Sequence, residues 1–399
     1  MKNVTLHLWI SFAICFLCNV FAGLISTLMP SYLPVVVGDL STSNGQAGIS
    51  DLASISAIIN ALYLAGWTVG GFTWGFISDR IGRARALSLS VGSFGLLTLL
   101  ISFAPTWEWV VVVRLLSGFA VGGILVITPT LLSEIWPDNT RSVILGIDSI
   151  GFPVGIFSTG IVSFMATTWR SAFYIGAIPL LVGIISLFAL MESTHWKRSA
   201  QAQAIDPSNA LNLVKGSLIF GSMLIGLWGM FSWIPSWVQS LLNGADGQAE
   251  RGLTMMLLGA GGLMGGFASG WISNALGVKR AMLLCFSGCL VMSIFLFGLN
   301  DSFSVAIYGE LGLLSLFFGI SQGLLSIYVP QLFPYRIRGT YTGICFNIGR
   351  IVTTAAVFFV GVLVATFGGY SNALLIFAGI FVVGFITVFL TKEHKPIVA

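Results

Sequence analysis

The chain has 399 residues, of which 56% are hydrophobic and 8% charged, with a formal net charge of +4 and a mean hydropathy of +0.96. This composition excludes a soluble globular domain and predicts that a lipid bilayer surrounds most of the chain. The basic residues are spread among short loops and form no patch, which argues against a nucleic-acid-binding protein.

Apolar runs recur along the whole chain, and each is long enough to cross a hydrocarbon core of about 30 Å as a helix. They predict an all-α membrane protein with twelve transmembrane helices. The predicted helices are residues 8–35, 52–77, 84–104, 108–134, 141–166, 170–191, 214–242, 252–275, 279–298, 303–332, 339–367 and 370–391.

The distribution of Lys and Arg predicts the orientation of these helices. With a cytoplasmic N-terminus, fourteen basic residues fall in inside segments and only Arg170 and Arg251 in outside loops. Cytoplasmic loops are enriched in Lys and Arg, so both termini are predicted to be cytoplasmic. The first helix is too long for a signal-peptide core and is predicted to be retained. We expect an integral, multi-pass protein of a bacterial cytoplasmic (inner) membrane.

A charged turn between the second and third predicted helices, Gly75–Arg85, returns in the second half as Gly270–Arg280. At an offset of 195, nine of the twenty positions in 66–85 and 261–280 are identical. A second repeated segment, at an offset of 197, relates Glu134–Arg141 to Gln331–Arg338. The chain is therefore predicted to contain two six-helix bundles related by a parallel repeat. The predicted domains are residues 1–191 and 214–399, joined by a cytoplasmic linker at 192–213.

No motif predicts a cofactor. A phosphate-binding Gly-rich loop with its Lys is absent from the sequence, which argues against direct use of ATP. Cys15 and Cys18 lack a second ligand pair, so neither a metal site nor a disulfide is predicted. We expect no enzymatic activity and no cofactor, with a proton gradient as the energy source.

Three motifs together resemble the major facilitator superfamily across the full length of the chain. The turn Gly75–Arg85 is similar to the family's cytoplasmic loop between helices two and three. Arg114–Gly118, with Gly122 and Gly123, resembles its helix-four motif, and Glu134–Arg141 resembles the segment that closes this helix. The resemblance implies secondary transport by alternating access, in which two bundles rock about a site near the membrane midplane, in a protein that works as a monomer.

The repeated turn is the candidate conformational gate. Asp79 can accept charge-assisted hydrogen bonds from Arg83 or Arg85. The resemblance implies that this cluster holds the outward-facing state and that Glu134 and Arg141 extend it. The alternative is that the arginines only anchor the topology. In the second half the acid is replaced by Asn274, so a weaker lock is expected there. The predicted gate residues are Gly75, Asp79, Arg80, Gly82, Arg83, Arg85, Glu134 and Arg141.

Four charged residues stand out away from the ends of the predicted helices, where unpaired charge is costly and marks functional positions: Arg114, Asp148, Glu310 and Arg350. Arg350 lies twelve residues after Arg338, about 18 Å into the helix and near the midplane. Its guanidinium can bind a carboxylate in a bidentate manner, and Asn347 shares its helix face. Arg350 is therefore predicted to anchor an anionic substrate. The alternative is a structural ion pair with Glu310 or Asp148.

The segment Cys345–Arg350 resembles helix eleven of proton-coupled organic-anion symporters, which include aromatic-acid, sialic-acid and monocarboxylate carriers. Burial favours a neutral acid and a nearby arginine favours a carboxylate, so Asp148 and Glu310 can be tuned to take up and release a proton. The resemblance adds Arg114 as a proton-coupling candidate, because its family counterpart is assigned to proton coupling or conformational switching; pairing with Asp148 is the alternative. A structural partner role is the alternative for each. Helix one carries Asn19 where some such symporters have an acid.

Asn19, Tyr63 and Trp228 are predicted to complete the substrate site with Arg350 and Asn347. For the aromatic residues, the alternative is packing in the interfacial belt or against lipid. The predicted function is secondary active transport of a small organic anion, a carboxylate, by proton symport. The alternatives are a proton-coupled exporter of drugs or metabolites and a transporter of sugars or other neutral solutes.

Overall fold

The computed structural model describes residues 2–42, 49–192, 210–242, 244, 246–333 and 338–391. Within these residues the regular structure is helical and no strand is present, which confirms the predicted all-α class. The α-helices are α1 Lys2–Thr42, α2 Ile49–Ile81, α3 Arg83–Ile101, α4 Trp107–Ile135, α5 Asp138–Met165, α6 Trp169–Phe173, α7 Ala177–Ala189, α8 Ala210–Phe231, α9 Ile234–Ser240, α10 Gln248–Leu276, α11 Val278–Gly298, α12 Ala306–Gln331, α13 Arg338–Phe367, α14 Tyr370–Ala378 and α15 Ile380–Leu390.

Twelve segments of the described chain are long and apolar enough to cross a membrane, as predicted. Three of them consist of two α-helices each. A 3₁₀ turn at Tyr174–Gly176 separates α6 from α7, and α14 gives way to α15 at Gly379. The interruption between α8 and α9 precedes Pro235 in the first turn of α9, where proline needs no amide hydrogen.

The chain forms two compact units. The first comprises residues 1–200 together with Arg251–Met256, and the second comprises 201–250 together with 257–399. The predicted domain bounds 1–191, 192–213 and 214–399 stay predictions. Most of the predicted linker, 193–209, lies outside the described residues. Pro334 and Arg336 of the second repeated segment also lie outside them.

The repeated turn has the same backbone conformation in both halves. Gly82 precedes α3 with φ 98° and ψ 153°, and Gly277 precedes α11 with φ 79° and ψ 149°. A side chain is disfavoured at such positive φ, so glycine is needed at both positions. The sequence repeat at this turn is thus a structural repeat as well.

Other repeated glycines allow close helix packing within each unit. A Cβ at Gly66 or Gly70 of α2 would overlap backbone atoms of Leu115 or Phe119 in α4. In the second unit, a Cβ at Gly265 of α10 would overlap the backbone of α12. Small residues allow this approach between membrane helices. Gly75 and its counterpart Gly270 differ from these three, because a Cβ at either position would meet no described atom of another helix within 4 Å.

Hydrogen bonds between side chains connect α1 and α5 along their length. The hydroxyls of Thr27 and Thr159 lie 2.7 Å apart, and those of Ser31 and Ser163 lie 3.2 Å apart. All four residues are buried. Because lipid offers no hydrogen-bonding partners, these contacts satisfy polar groups that would otherwise be costly in the bilayer.

Candidate functional site

In the first unit, Arg114 of α4 stacks on Tyr63 of α2. The guanidinium carbon lies 3.6 Å from the centre of the Tyr63 ring, and Nη1 donates to the Ile25 carbonyl over 3.4 Å. Arg114 is 1% exposed and Tyr63 2%. This stacking is a cation–π contact, which partly compensates the buried charge. The close approach of α2 and α4 brings the two side chains together.

Asp148 of α5 lies against Asn19 of α1. The Asn19 amide nitrogen donates to Asp148 Oδ2 over 2.7 Å and also approaches Thr128 Oγ1 of α4, at 3.3 Å. Asn19 is 4% exposed and Asp148 3%. The other carboxyl oxygen, Oδ1, has no hydrogen-bond partner among the described residues. The structure thus brings together two of the predicted residues, one assigned to substrate binding and the other to proton coupling.

Helix α5 begins earlier than the sequence indicated, and the apolar span within it begins at Val143. The sequence places Asp148 about seven residues into the fifth helix, roughly 10 Å from the surface. The structure begins α5 at Asp138, so Asp148 lies ten residues, or about 15 Å, along this helix. Neither Arg114 nor Asp148 forms an ion pair with any described residue.

In the second unit, Arg350 is a cation within a membrane-spanning helix. Its Nη1 donates to Asn347 Oδ1 over 3.4 Å, one turn earlier in α13. Arg350 forms no ion pair with a described residue of its own unit, so the alternative pairing with Glu310 has no support there. The side chain is partly buried, and Asn347 is the hydrogen-bond partner that the structure gives it.

Glu310 lies apart from Arg350 and near the start of its own helix. Its Oε2 accepts a hydrogen bond of 2.7 Å from Asn300 Nδ2. The sequence places Glu310 about 10 Å into the tenth helix. The structure begins α12 at Ala306, after a non-helical stretch, which leaves Glu310 only about 6 Å along it. Its role in proton coupling stays a prediction.

Trp228 of α8 is buried, at 7% exposure. In the first unit, Tyr63 packs edge-on against Trp67, with ring centres 6.1 Å apart, and its hydroxyl lies 2.5 Å from Ser26 Oγ. These placements exclude exposure to lipid for Tyr63 and Trp228. Their predicted contacts with substrate stay predictions.

The gate residues form a cluster centred on Arg83. Its Nη1 lies 2.6 Å from Asp79 Oδ1, and its Nε lies 3.4 Å from Glu134 Oε1. Arg83 is 6% exposed and also donates to Ser78 Oγ over 2.6 Å. The partner of Asp79 is therefore Arg83 rather than Arg85. This cluster joins the ends of α2 and α4 to the start of α3.

The structure also places the other charged residues that were predicted to form the gate. Arg80 and Arg85 are exposed and form no ion pair with described residues. Arg141 donates from Nε and Nη2 to the Trp136 carbonyl, over 3.3 and 3.1 Å. This contact holds the turn between α4 and α5. Whether these residues gate transport stays a prediction.

Sequence reasoning missed Glu192, which follows α7. Its Oε1 accepts from the backbone amides of Arg83 and Ala84, over 2.7 and 3.2 Å. A carboxylate in this position satisfies free amides at the N-terminus of α3 and complements the positive end of the helix dipole. The contact spans 109 residues, so local sequence does not reveal it.

Comparisons with known proteins agree with this architecture. The model of the family described as Major Facilitator Superfamily matches residues 15–357. A cis,cis-muconate transport protein of Acinetobacter baylyi is 26% identical, with 98% of this chain and 96% of the relative covered. A gallate transporter of Pseudomonas putida is 25% identical, over 88% of this chain and 84% of the relative. The inward open structure of the xylose transporter XylE from E. coli has a TM-score of 0.79, with 15% identity and 98% of each chain covered.

Proposed function

Because the chain belongs to the Major Facilitator Superfamily, we propose that it is a secondary active transporter that carries a small organic anion across the cytoplasmic membrane with a proton. In this proposal the cycle uses alternating access, and both chain termini are cytoplasmic. The observation that carries the proposal is the placement of Arg350 in the middle of a membrane-spanning helix without an ion pair to a described residue of its own unit.

Arg350 fits a carboxylate ligand for electrostatic reasons. A guanidinium stays charged throughout the accessible pH range, so its charge requires a counter-charge or water when it lies within a membrane protein. Asn347 accepts only one of its donors, and through a long contact of 3.4 Å. A substrate carboxylate would supply the missing counter-charge and accept two parallel hydrogen bonds.

The relatives support a narrower substrate class. cis,cis-Muconate and gallate, named for two of them, are both planar, conjugated carboxylates. We propose this class for the present chain as well. The alternative of neutral-solute transport lacks a comparable feature, because a neutral solute would leave the charge of Arg350 uncompensated.

Asp148 is the proposed proton carrier. It is buried in α5 and has no ion-pair partner among the described residues, so taking up a proton removes an uncompensated charge. Symport of one proton with a monoanion such as gallate moves no net charge, and a pH gradient alone can therefore drive it. The dicarboxylate cis,cis-muconate needs two protons for the same charge balance. The energy source in this proposal is the proton gradient.

The test is uptake into proteoliposomes that contain the purified protein, under an imposed inward proton gradient. The panel contains cis,cis-muconate, gallate, a sugar and an organic cation. We expect uptake of at least one carboxylate and its loss when the gradient is collapsed with a protonophore. Uptake of the cation or the sugar alone would overturn the proposal.

Arg350→Ala tests the anion-binding residue, with Arg280→Ala as the matched control. Arg280 is an exposed arginine of the same unit, and its replacement removes an equal charge. We expect Arg350→Ala to reduce carboxylate uptake to background and Arg280→Ala to retain it. Equal uptake by the wild type and Arg350→Ala would disprove the role of Arg350.

A further inference from the structure

The contact between Asn19 and Asp148 suggests a role for Asn19 other than substrate binding. We propose that Asn19 is a positioning residue that holds the Asp148 carboxyl group and sets the pH at which this group releases its proton. The inference deepens the proposed function and rests on it, because it concerns the proposed proton carrier. It assigns to Asn19 a task in proton coupling.

The geometry leaves Asn19 few donors for a substrate. A side-chain amide has two N–H groups. Those of Asn19 point to Asp148 Oδ2 at 2.7 Å and to Thr128 Oγ1 at 3.3 Å, and all three residues are buried. Asn19 therefore connects α1 to both α4 and α5. Its donors orient the carboxyl group and are not directed to a ligand.

Among the described residues, the Asn19 amide is the hydrogen-bond donor to the Asp148 carboxyl group, whose other oxygen has no partner. Helix α5 packs against α1, α4 and α6. The titratable groups that face Asp148 from α1 are the thiols of Cys15 and Cys18, and α4 contributes the Thr128 hydroxyl through Asn19. No cationic side chain pairs with it within the described chain. An N–H donor stabilises a carboxylate more than a carboxylic acid, so Asn19 favours release of the proton.

The second unit supports the pairing of these two residues. In the repeat, Asp148 of α5 corresponds to Cys345 of α13 at the offset of 197. Cys345 lies beside Ser217 of α8 and donates to the Leu213 carbonyl at 3.5 Å. The position matched with Asn19 is Gly216, which lies against Cys345, so these two positions have neither the amide nor the acid. The unit that has an acid at this position, Asp148, is also the unit that has the amide of Asn19.

The test is pH-difference infrared spectroscopy of the full-length protein in lipid vesicles, without substrate. We expect a carboxylic-acid C=O band that titrates with pH and is missing in Asp148→Asn. In Asn19→Leu the midpoint of this band should move to more alkaline pH by about one unit, because the carboxylate has lost a hydrogen bond. Asn19→Ala, which is smaller and easier to accommodate, should show the same shift.

Thr27→Val is the matched control. Thr27 lies two turns further along the same α1–α5 interface, where it contacts Thr159 and not Asp148. Its replacement disturbs the interface but should leave the midpoint unchanged. A role of Asn19 in packing alone would lower thermal stability in the Asn19 variants without moving the midpoint.

Two results would overturn the inference. One is an unchanged midpoint in both Asn19 variants, and the other is a titrating band that survives in Asp148→Asn. Failure of the proposed function is distinguishable, since it would appear as absent carboxylate uptake in the transport assay. The infrared titration uses no substrate and does not depend on that outcome.

Discussion

The two compact units share the packing of their helices but differ in where they place charge. Gly70 of α2 lies against the Phe119 carbonyl of α4, and Gly265 of α10 lies against the Leu316 carbonyl of α12. These residues are related by the offsets of 195 and 197 found in the sequence. Positions elsewhere in the two units can be matched with the same offsets.

At the matched positions, most ionisable side chains of the candidate site belong to one unit only. The matched pairs are Tyr63 with Leu258, Arg114 with Leu311, Asp148 with Cys345 and Pro153 with Arg350. The helix packing is the same in both units where backbone contacts leave no room for a side chain. Charge is therefore distributed unequally between two units that share the same helix packing. The proposed proton carrier lies in the first unit and the proposed anion-binding arginine in the second.

The largest effect is expected at the matched pair of Asp148 and Cys345. Asp148→Asn should abolish pH-driven accumulation of the carboxylate, because the variant cannot take up the proton, whereas Cys345→Ser should retain most of it. Accumulation in proteoliposomes under an inward proton gradient measures both. An equal loss in the two variants would show that the interface, rather than the acid, is what transport requires.

A smaller effect is expected at the charged turn, where Asp79 is matched with Asn274. Asp79→Asn removes the 2.6 Å ion pair with Arg83, worth about 1–2 kcal/mol for a partly exposed acid with a buried partner. The initial rate of uptake should fall about tenfold, while membrane insertion stays intact. Asn274→Asp should change the rate little, since Asn274 is exposed. A normal initial rate in Asp79→Asn would refute the gating role.

The smallest effect is expected for Glu192 and Lys279, two side chains of opposite charge that cap helix ends. Glu192 accepts from the amides at the start of α3, whereas Lys279, at the start of α11, donates to the carbonyls of Phe389 and Thr391 over 3.1 and 2.7 Å. Glu192→Gln and Lys279→Met should each lower Tm by about 1–3 °C.

A thiol-reactive fluorophore can follow this unfolding, because all five cysteines are buried in the folded chain. Arg85→Gln is the control, since Arg85 is exposed and forms no ion pair with a described residue. If only one of the two cap variants were destabilised, the caps would not be equivalent.

Much of the fold could be predicted, because its causes are local. Apolar runs of sufficient length indicate the membrane spans, and the repeated glycines at positions 82 and 277 indicate the two turns. The start of α12 was less predictable. Residues 303–305 are compatible with a helix by composition, yet the structure begins it at Ala306.

The candidate site could be predicted only as a set of residues. Buried ionisable groups such as Asp148 and Arg350 stand out in an apolar sequence, but their partners depend on helix packing. Asn19 and Asp148 are 129 residues apart, and Glu192 reaches Arg83 across 109. Contacts between residues so far apart in the sequence produce no pattern that can be recognised locally. Asp79 pairs with Arg83 rather than with Arg85 because of the direction that α3 takes after Gly82. The sequence alone does not give this direction.

The polar contacts between α1 and α5 have a consequence for biogenesis. Helix α1 leaves the ribosome more than a hundred residues before α5, so Asn19, Thr27 and Ser31 enter the membrane before their partners exist. During this interval their polar groups must be satisfied within α1 itself, as Thr27 does through the Gly23 carbonyl, or by the insertion machinery. Association of the first and fifth helices then becomes a committed step in assembling the first unit.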